Sequence, residues 1–164
     1  SKKKPLNYYE KIKYKVEKNY KKTNQNFLIL RLCNIYGGKK KFGIIELIIK
    51  SIKNKNNFYF DNINTFKNFI FINDVVNIIE VLIRKNIKNK VLNVGNQNIS
   101  FINLSNFLRR LTNNCITFHN KDISLKKTLS QKIDNTLVKK IMKNYKFKTL
   151  QNYLKDEIGN KKIL

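Results

Sequence analysis

Phe27-Leu28-Ile29-Leu30 is an unbroken apolar run of strand length, and it leads directly into Arg31, Asn34 and the turn Tyr36-Gly37-Gly38. A short apolar run of this kind belongs to a strand buried on both faces of a parallel sheet. Polar groups at its carboxyl end are what such a strand delivers to a site. The residues around it alternate between helical and extended patterns. A helix is predicted over residues 8–21, with Pro5 and Asn7 ahead of it and Tyr9, Ile12, Val16 and Tyr20 near one face. A second helix spans residues 42–54, and short aromatic strands lie at 58–60 and 69–72. Asn73 is a good N-cap and Asp74 suits a first turn, launching a helix with Val75, Val76, Ile79, Leu82 and Ile83 inward.

Further along, Val91 to Val94 form a strand ending at Gly95, and Ser100 caps a helix carrying Leu104, Phe107, Leu108 and Leu111. Residues 115–118 are another strand candidate, residues 121–133 carry no firm element, and two short helices at 136–143 and 150–158 close the chain. Strands alternating with helices argue an α/β fold.

Composition narrows the partners. Hydrophobic residues make up 41% of the 164, enough to bury a core and to exclude a disordered chain. The net charge is +25, from 35 basic and 10 acidic residues. That excess invites a nucleic-acid reading, but the lysines are dispersed and the arginines are few (Arg31, Arg84, Arg109 and Arg110), whereas base readout leans on Arg. Lys, Asn, Ile, Phe and Tyr dominate and Ala is absent, a bias that AT-rich codons impose on any protein. No specific nucleic-acid partner is therefore expected. Cys33 and Cys115 stand far apart, without metal-ligand spacing, and a buried, reduced thiol in an apolar strand is the expectation for each. No metal site is signalled. No run reaches the roughly eighteen apolar residues of a membrane span, so a cytoplasmic protein without a membrane partner is expected.

Tyr9 and Lys13 stand one helical turn apart, on one face. A phenol removes a proton from a hydroxyl only when nearby positive charge favours the phenolate, and a lysine at this spacing supplies it. Tyr14/Lys18 and Tyr36/Lys40 share the spacing, so spacing alone selects none of the three. Context selects Tyr9/Lys13: Pro5 lies four residues before the Tyr, a helix surrounds the pair, and the strand with Arg31 and Asn34 follows.

In that order these residues resemble the extended short-chain dehydrogenase/reductase family of nucleotide-sugar epimerases and dehydratases. The family's Leu-Arg-x-x-Asn-x-Tyr-Gly strand is matched by Leu30, Arg31, Asn34, Tyr36 and Gly37. Lys67 to Val76 resembles its Arg-Asp-Phe segment, with Lys67 and Asn68 replacing the Arg and the Asp. Val91 to Gly95 and Tyr145 to Leu154 resemble two further landmarks. The resemblance implies Tyr9 as acid/base and Lys13 as its tuner and ribose ligand, with backbone near Ile35 meeting the nicotinamide of NAD (or NADP). It implies that Asn34, Lys67 and, at the rim, His119 contact a nucleotide-diphosphate sugar, and that a homodimer pairs through the Tyr9 helix. Arg31 reads instead as a structural ion-pair residue.

The implied fold is the C-terminal part of a Rossmann-type doubly wound sheet plus a small substrate-binding α/β subdomain. Residues 1–40 would complete the Rossmann core, and residues 41–164 would be mostly the subdomain. The Gly-rich pyrophosphate turn and the Ser/Thr partner of the tyrosine have no match, so the N-terminal dinucleotide-binding half is expected to be absent. The chain opens at Ser1, which fits a fragment.

Overall fold

Asn7 begins the first helix by accepting the Glu10 backbone N–H on its side-chain oxygen at 2.8 Å, so one of the four orphan donors of the first turn is satisfied. In this computed structural model, which describes residues 5, 7–23, 25–39, 42–120 and 130–159, that helix is α1 (Tyr8–Tyr20). There follow β1 (Leu28–Leu32), β2 (Asn34–Tyr36), α2 (Ile44–Lys53), β3 (Phe58–Phe60), β4 (Phe66–Phe71) and α3 (Ile72–Arg84). Then come β5 (Lys90–Val94), β6 (Gln97–Ser100), α4 (Phe101–Leu111), β7 (Phe118–Asn120), α5 (Thr136–Met142) and α6 (Leu150–Gly159).

Among the described residues three small sheets carry the topology. β1 pairs with β5 in parallel, β4 stands between parallel β2 and antiparallel β6, and β3 pairs with β7 in parallel. Parallel neighbours far apart in sequence are joined by helical crossovers, as an α/β chain requires. A single residue, Cys33, separates β1 from β2, and its N–H donates to the Val94 carbonyl at 3.1 Å before the chain changes sheets.

Two apolar clusters fill the interior. One gathers Tyr36, Ile45, Ile48, Ile49, Ile52, Phe60, Phe69 and Leu104 with Leu150, Tyr153 and Leu154 of α6. The other gathers Ile70, Val75, Ile78, Leu82, Leu92 and Val94 with Val138 and Met142 of α5. Gly37, at φ +81°, turns the chain after β2, where a Cβ would stand 2.4 Å from the Phe71 ring; only glycine fits that approach.

Several expectations are corrected. β1 is half-buried rather than enclosed on both faces, because β5 is its partner on one edge and no described strand takes the other. The third helix takes its N-cap at Phe71, with no side-chain cap, because β4 runs straight into it; Asn73 lies inside the helix. Its buried face is Asp74, Val75, Ile78 and Leu82, whereas Val76, Ile79 and Ile83 are exposed. Apolar residues surround most of that helix, so the periodicity admitted two phases about 100° apart. Cys115 lies outside any strand and is exposed, while Cys33 is half-buried. The strand expected at 115–118 begins at Phe118.

Candidate active site

β2 brings Asn34 and Ile35 beside the centre of β4, in register with Phe69 and Ile70. The Asn34 side chain donates from Nδ2 to the Asn68 carbonyl at 2.9 Å, which holds its amide plane across the β2–β4 seam. Asn34 is an exposed residue, and an amide oxygen can accept from a ligand hydroxyl.

Tyr9 and Lys13 lie on α1 with the Lys13 ammonium 5.5 Å from the centre of the Tyr9 ring. The phenol is 68% exposed, and α1 buries none of its residues. What ties the helix to the rest is Glu17, one turn beyond Lys13. Its carboxylate accepts from Arg31 Nε at 3.0 Å and from a terminal Arg31 nitrogen at 2.5 Å, and from Lys21 at 2.8 Å. The Arg31 guanidinium holds the Glu17 carboxyl down at about 2, burial opposing and Lys21 assisting. Arg31 is thus a structural ion-pair residue. Ser1 and Lys40 lie outside the described residues.

Lys67 is half-buried on β4, and desolvation pushes its ammonium below the ordinary lysine range. Asn68 is fully buried: Nδ2 donates to Asn98 Oδ1 at 2.8 Å, and Oδ1 lies against Gly95 without a hydrogen-bond partner. Where the resembled segment carries an Asp, Asn68 is a packed neutral amide.

His119 stands on β7, opposite Tyr59 of β3, and the two rings stack with centres 5.0 Å apart. Its Nε2 lies 2.7 Å from Thr117 Oγ1. This edge lies in a different sheet from Asn34 and Lys67. A shallow cleft of about 310 Å³ opens where α1 joins β1, lined by Tyr20, Thr23, Phe27, Leu28 and Ile29. It sits at the start of β1, whereas Asn34 follows that strand's other end, and it holds none of the chemistry. Among the described residues no cluster of His, Cys, Asp and Glu could hold a metal.

Sequence reasoning missed the role of Asp74. The residue is 2% exposed and accepts from Tyr145 Oη at 2.7 Å and from the Lys148 N–H at 3.0 Å. Burial pushes its carboxyl up, against these two hydrogen bonds and the charge of Lys148. Asn77, one turn along, donates to Tyr145 Oη at 2.7 Å. The Asp74/Asn77 spacing on one helix face was visible in the sequence, but nothing local marked a partner some seventy residues away.

The family model "NAD dependent epimerase/dehydratase family" matches residues 2–95, more than half of the 164. The chain belongs to that family. No match was found among curated proteins. Solved structures agree on the fold of the chain. It is similar to UDP-glucose 4-epimerase from Thermotoga maritima, solved with UDP-glucose, at 16% identity and TM-score 0.71, covering 91% of this chain and 50% of that one. It is similar to WbmG of Bordetella bronchiseptica, solved with NAD and UDP, at 16% identity and TM-score 0.75, covering 97% and 52%. A third likeness is dTDP-glucose 4,6-dehydratase from Bacillus anthracis, in complex with NAD, at 17% identity and TM-score 0.74, covering 95% and 52%. The chain therefore spans about half the length of these solved structures.

Proposed function

We propose that this chain is the C-terminal half of a nucleotide-sugar epimerase or dehydratase working in the cytoplasm. In this reading residues 1–40 complete the dinucleotide-binding core and residues 41–164 form mostly the substrate subdomain. The observation that carries the reading is the Glu17–Arg31 pair within a chain of this family. It anchors the helix of Tyr9 and Lys13 to the strand that leads to Asn34. Tyr9 lies two turns from Glu17, about 12 Å along a helix axis, and Asn34 lies about 10 Å beyond Arg31 along an extended chain. These similar reaches support the reading that the phenol and the amide serve one sugar.

Tyr9 Oη would take the proton of the sugar C4 hydroxyl as the C4 hydrogen departs as hydride. Lys13 would stabilise the phenolate through its charge and bond the nicotinamide ribose. Asn34 would orient the sugar, Lys67 would attract the diphosphate as a point charge rather than a bidentate fork, and His119 would line the rim. NAD, when bound, supplies the hydride acceptor. The exposed Tyr9 and Lys13 side chains and the backbone at Ile35 suit its nicotinamide end. No Gly-rich turn in this chain suits its pyrophosphate. Activity would require an upstream half, in cis or from another chain, and α1 would also serve a homodimer.

A second reading, a non-catalytic sugar-nucleotide-binding remnant, draws on Asn68, a neutral packing residue where the family places an acid. The test joins the chain to an upstream half and compares turnover with that of Tyr9→Phe. The enzymatic reading expects a loss of at least about 100-fold; zero turnover in both chains supports the remnant. If the 164-residue chain alone held NAD as tightly as a full-length relative, the need for an upstream half would fall.

A further inference from the structure

The backbone of Lys148 is held at both its N–H and its carbonyl. Its N–H donates to Asp74 Oδ2 at 3.0 Å, and its carbonyl accepts from Tyr36 Oη at 2.8 Å and from Asn96 Nδ2 at 3.2 Å. Asp74 belongs to α3, Tyr36 ends β2 and Asn96 sits in the turn between β5 and β6. The backbone of this one residue therefore joins three elements, its N–H reaching α3 and its carbonyl reaching β2 and the β5–β6 turn.

Its position in the core gives the arrangement consequence. Tyr145 and Phe147, just before it, pack on the apolar cluster of Val75 and Ile78. Leu150 and Tyr153, just after it, belong to the cluster of Tyr36 and Phe69. The Lys148 ammonium bonds Asp156 at 2.7 Å and lies over the Phe71 and Tyr153 rings at 5.4 and 5.9 Å. Leu150 N–H donates to Gln97 Oε1 at 2.8 Å, extending the attachment into β6. The segment is the seam between the two clusters, and β2 ends on it.

We propose that Asp74 is a positioning residue for the sugar-nucleotide site. Through the backbone of Lys148, whose N–H and carbonyl flank one Cα, and the Tyr36 hydroxyl it sets where β2 holds Asn34 and Ile35, two and one residues before Tyr36. The proposal rests on the reading of Asn34 and Ile35 given above. A buried carboxylate is suited to the task because it accepts two donors at once, and charge-assisted bonds are stiffer than neutral ones. Tyr36 is suited because its ring is packed against Phe71 and Tyr153, with centres 5.7 and 5.1 Å away, so its hydroxyl transmits rather than absorbs a displacement.

The test is a double-mutant cycle on the 164-residue chain, Asp74→Asn with Tyr36→Phe, read at the Asn34 side-chain amide by proton–nitrogen NMR. Asp74→Asn is expected to move that resonance when Tyr36 is present and to leave it unmoved in the Tyr36→Phe chain. Equal movement in both backgrounds would overturn the relay, since the effect would then travel through space or through general loosening. Should Asp74→Asn lose its dispersed spectrum, Tyr145→Phe, which removes one donor from the same carboxylate, takes its place in the cycle. A parallel titration with UDP expects roughly 5- to 10-fold weaker binding for Asp74→Asn, the effect of one hydrogen bond. A wild-type chain that fails to bind UDP counts against the proposed function, whereas the Asn34 resonance decides the relay by itself.

Discussion

Arg31 grips Glu17 with two nitrogens, Nε at 3.0 Å and a terminal nitrogen at 2.5 Å, and so fastens a helix that buries none of its own side chains. A helix without a buried face depends on such a tie, because helices in proteins are stabilised chiefly by packing an apolar face.

Acid should undo that tie. The Glu17 carboxyl sits at about 2 in the folded chain against an ordinary 4.5. The stabilisation is therefore fully present above pH 4.5 and is lost as pH falls toward 2. Glu17→Gln should cost about 1–3 kcal/mol at pH 7, and the deficit should shrink on acidification. Urea unfolding of both chains at pH 7 and pH 3 measures it; a deficit independent of pH would contradict the ion pair.

Gly95 is required by Asn68. A Cβ there would lie 2.1 Å from Asn68 Oδ1, and the Asn68 side chain is pinned by Asn98. Gly95→Ala should destabilise the chain by about 2–4 kcal/mol. Shortening the obstacle with Asn68→Ser in the same chain should restore part of that loss. Thermal unfolding of the two single variants and the double variant checks the coupling, and simple additivity would count against it.

The thiols should differ in reactivity. Burial pushes Cys33 up to about 12, whereas Cys115 is exposed. At pH 8 a maleimide should modify Cys115 first, with Cys33 slower by at least about 10-fold. Mass spectrometry of the time course reads the order directly; faster labelling of Cys33 would mean that the β1–β2 joint opens.

Lys67→Arg should strengthen UDP binding by roughly 3- to 10-fold, because a guanidinium engages a phosphate in bidentate fashion and an ammonium does not. Desolvation lowers the Lys67 ammonium, so wild-type binding should fall on the alkaline side sooner than for an ordinary lysine. The arginine variant should not share that loss. Calorimetric titration at pH 7 and pH 9.5 separates the two effects.

Much of the fold was legible where chemistry is local. The apolar run at Leu28–Leu32, the Asn7 and Ser100 caps and the two closing helices follow from neighbours within four positions. β6 was not legible: Gln97-Asn98-Ile99-Ser100 is short and mostly polar, and it is a strand because β4 pairs with it. The face of α3 was ambiguous because Val76, Ile79 and Ile83 are as apolar as the residues it buries. Tyr9, Lys13 and Asn34 are candidates from motif order, and the sequence alone carries their assignment. The part of Asp74 was not legible, since its partners at Tyr145 and Lys148 are joined to it by tertiary structure alone.

The two-stranded β1–β5 sheet has a further consequence. Each of its strands offers an outer row of backbone donors and acceptors to which no described strand is paired, and such a row is a template for any extended peptide of matching length. Isolated copies of this chain would compete to satisfy one another there, held apart chiefly by mutual repulsion of their +25 charge. Concentrated salt screens that repulsion, so the conditions that usually keep a basic protein from sticking to polyanions are those that invite this one to self-associate.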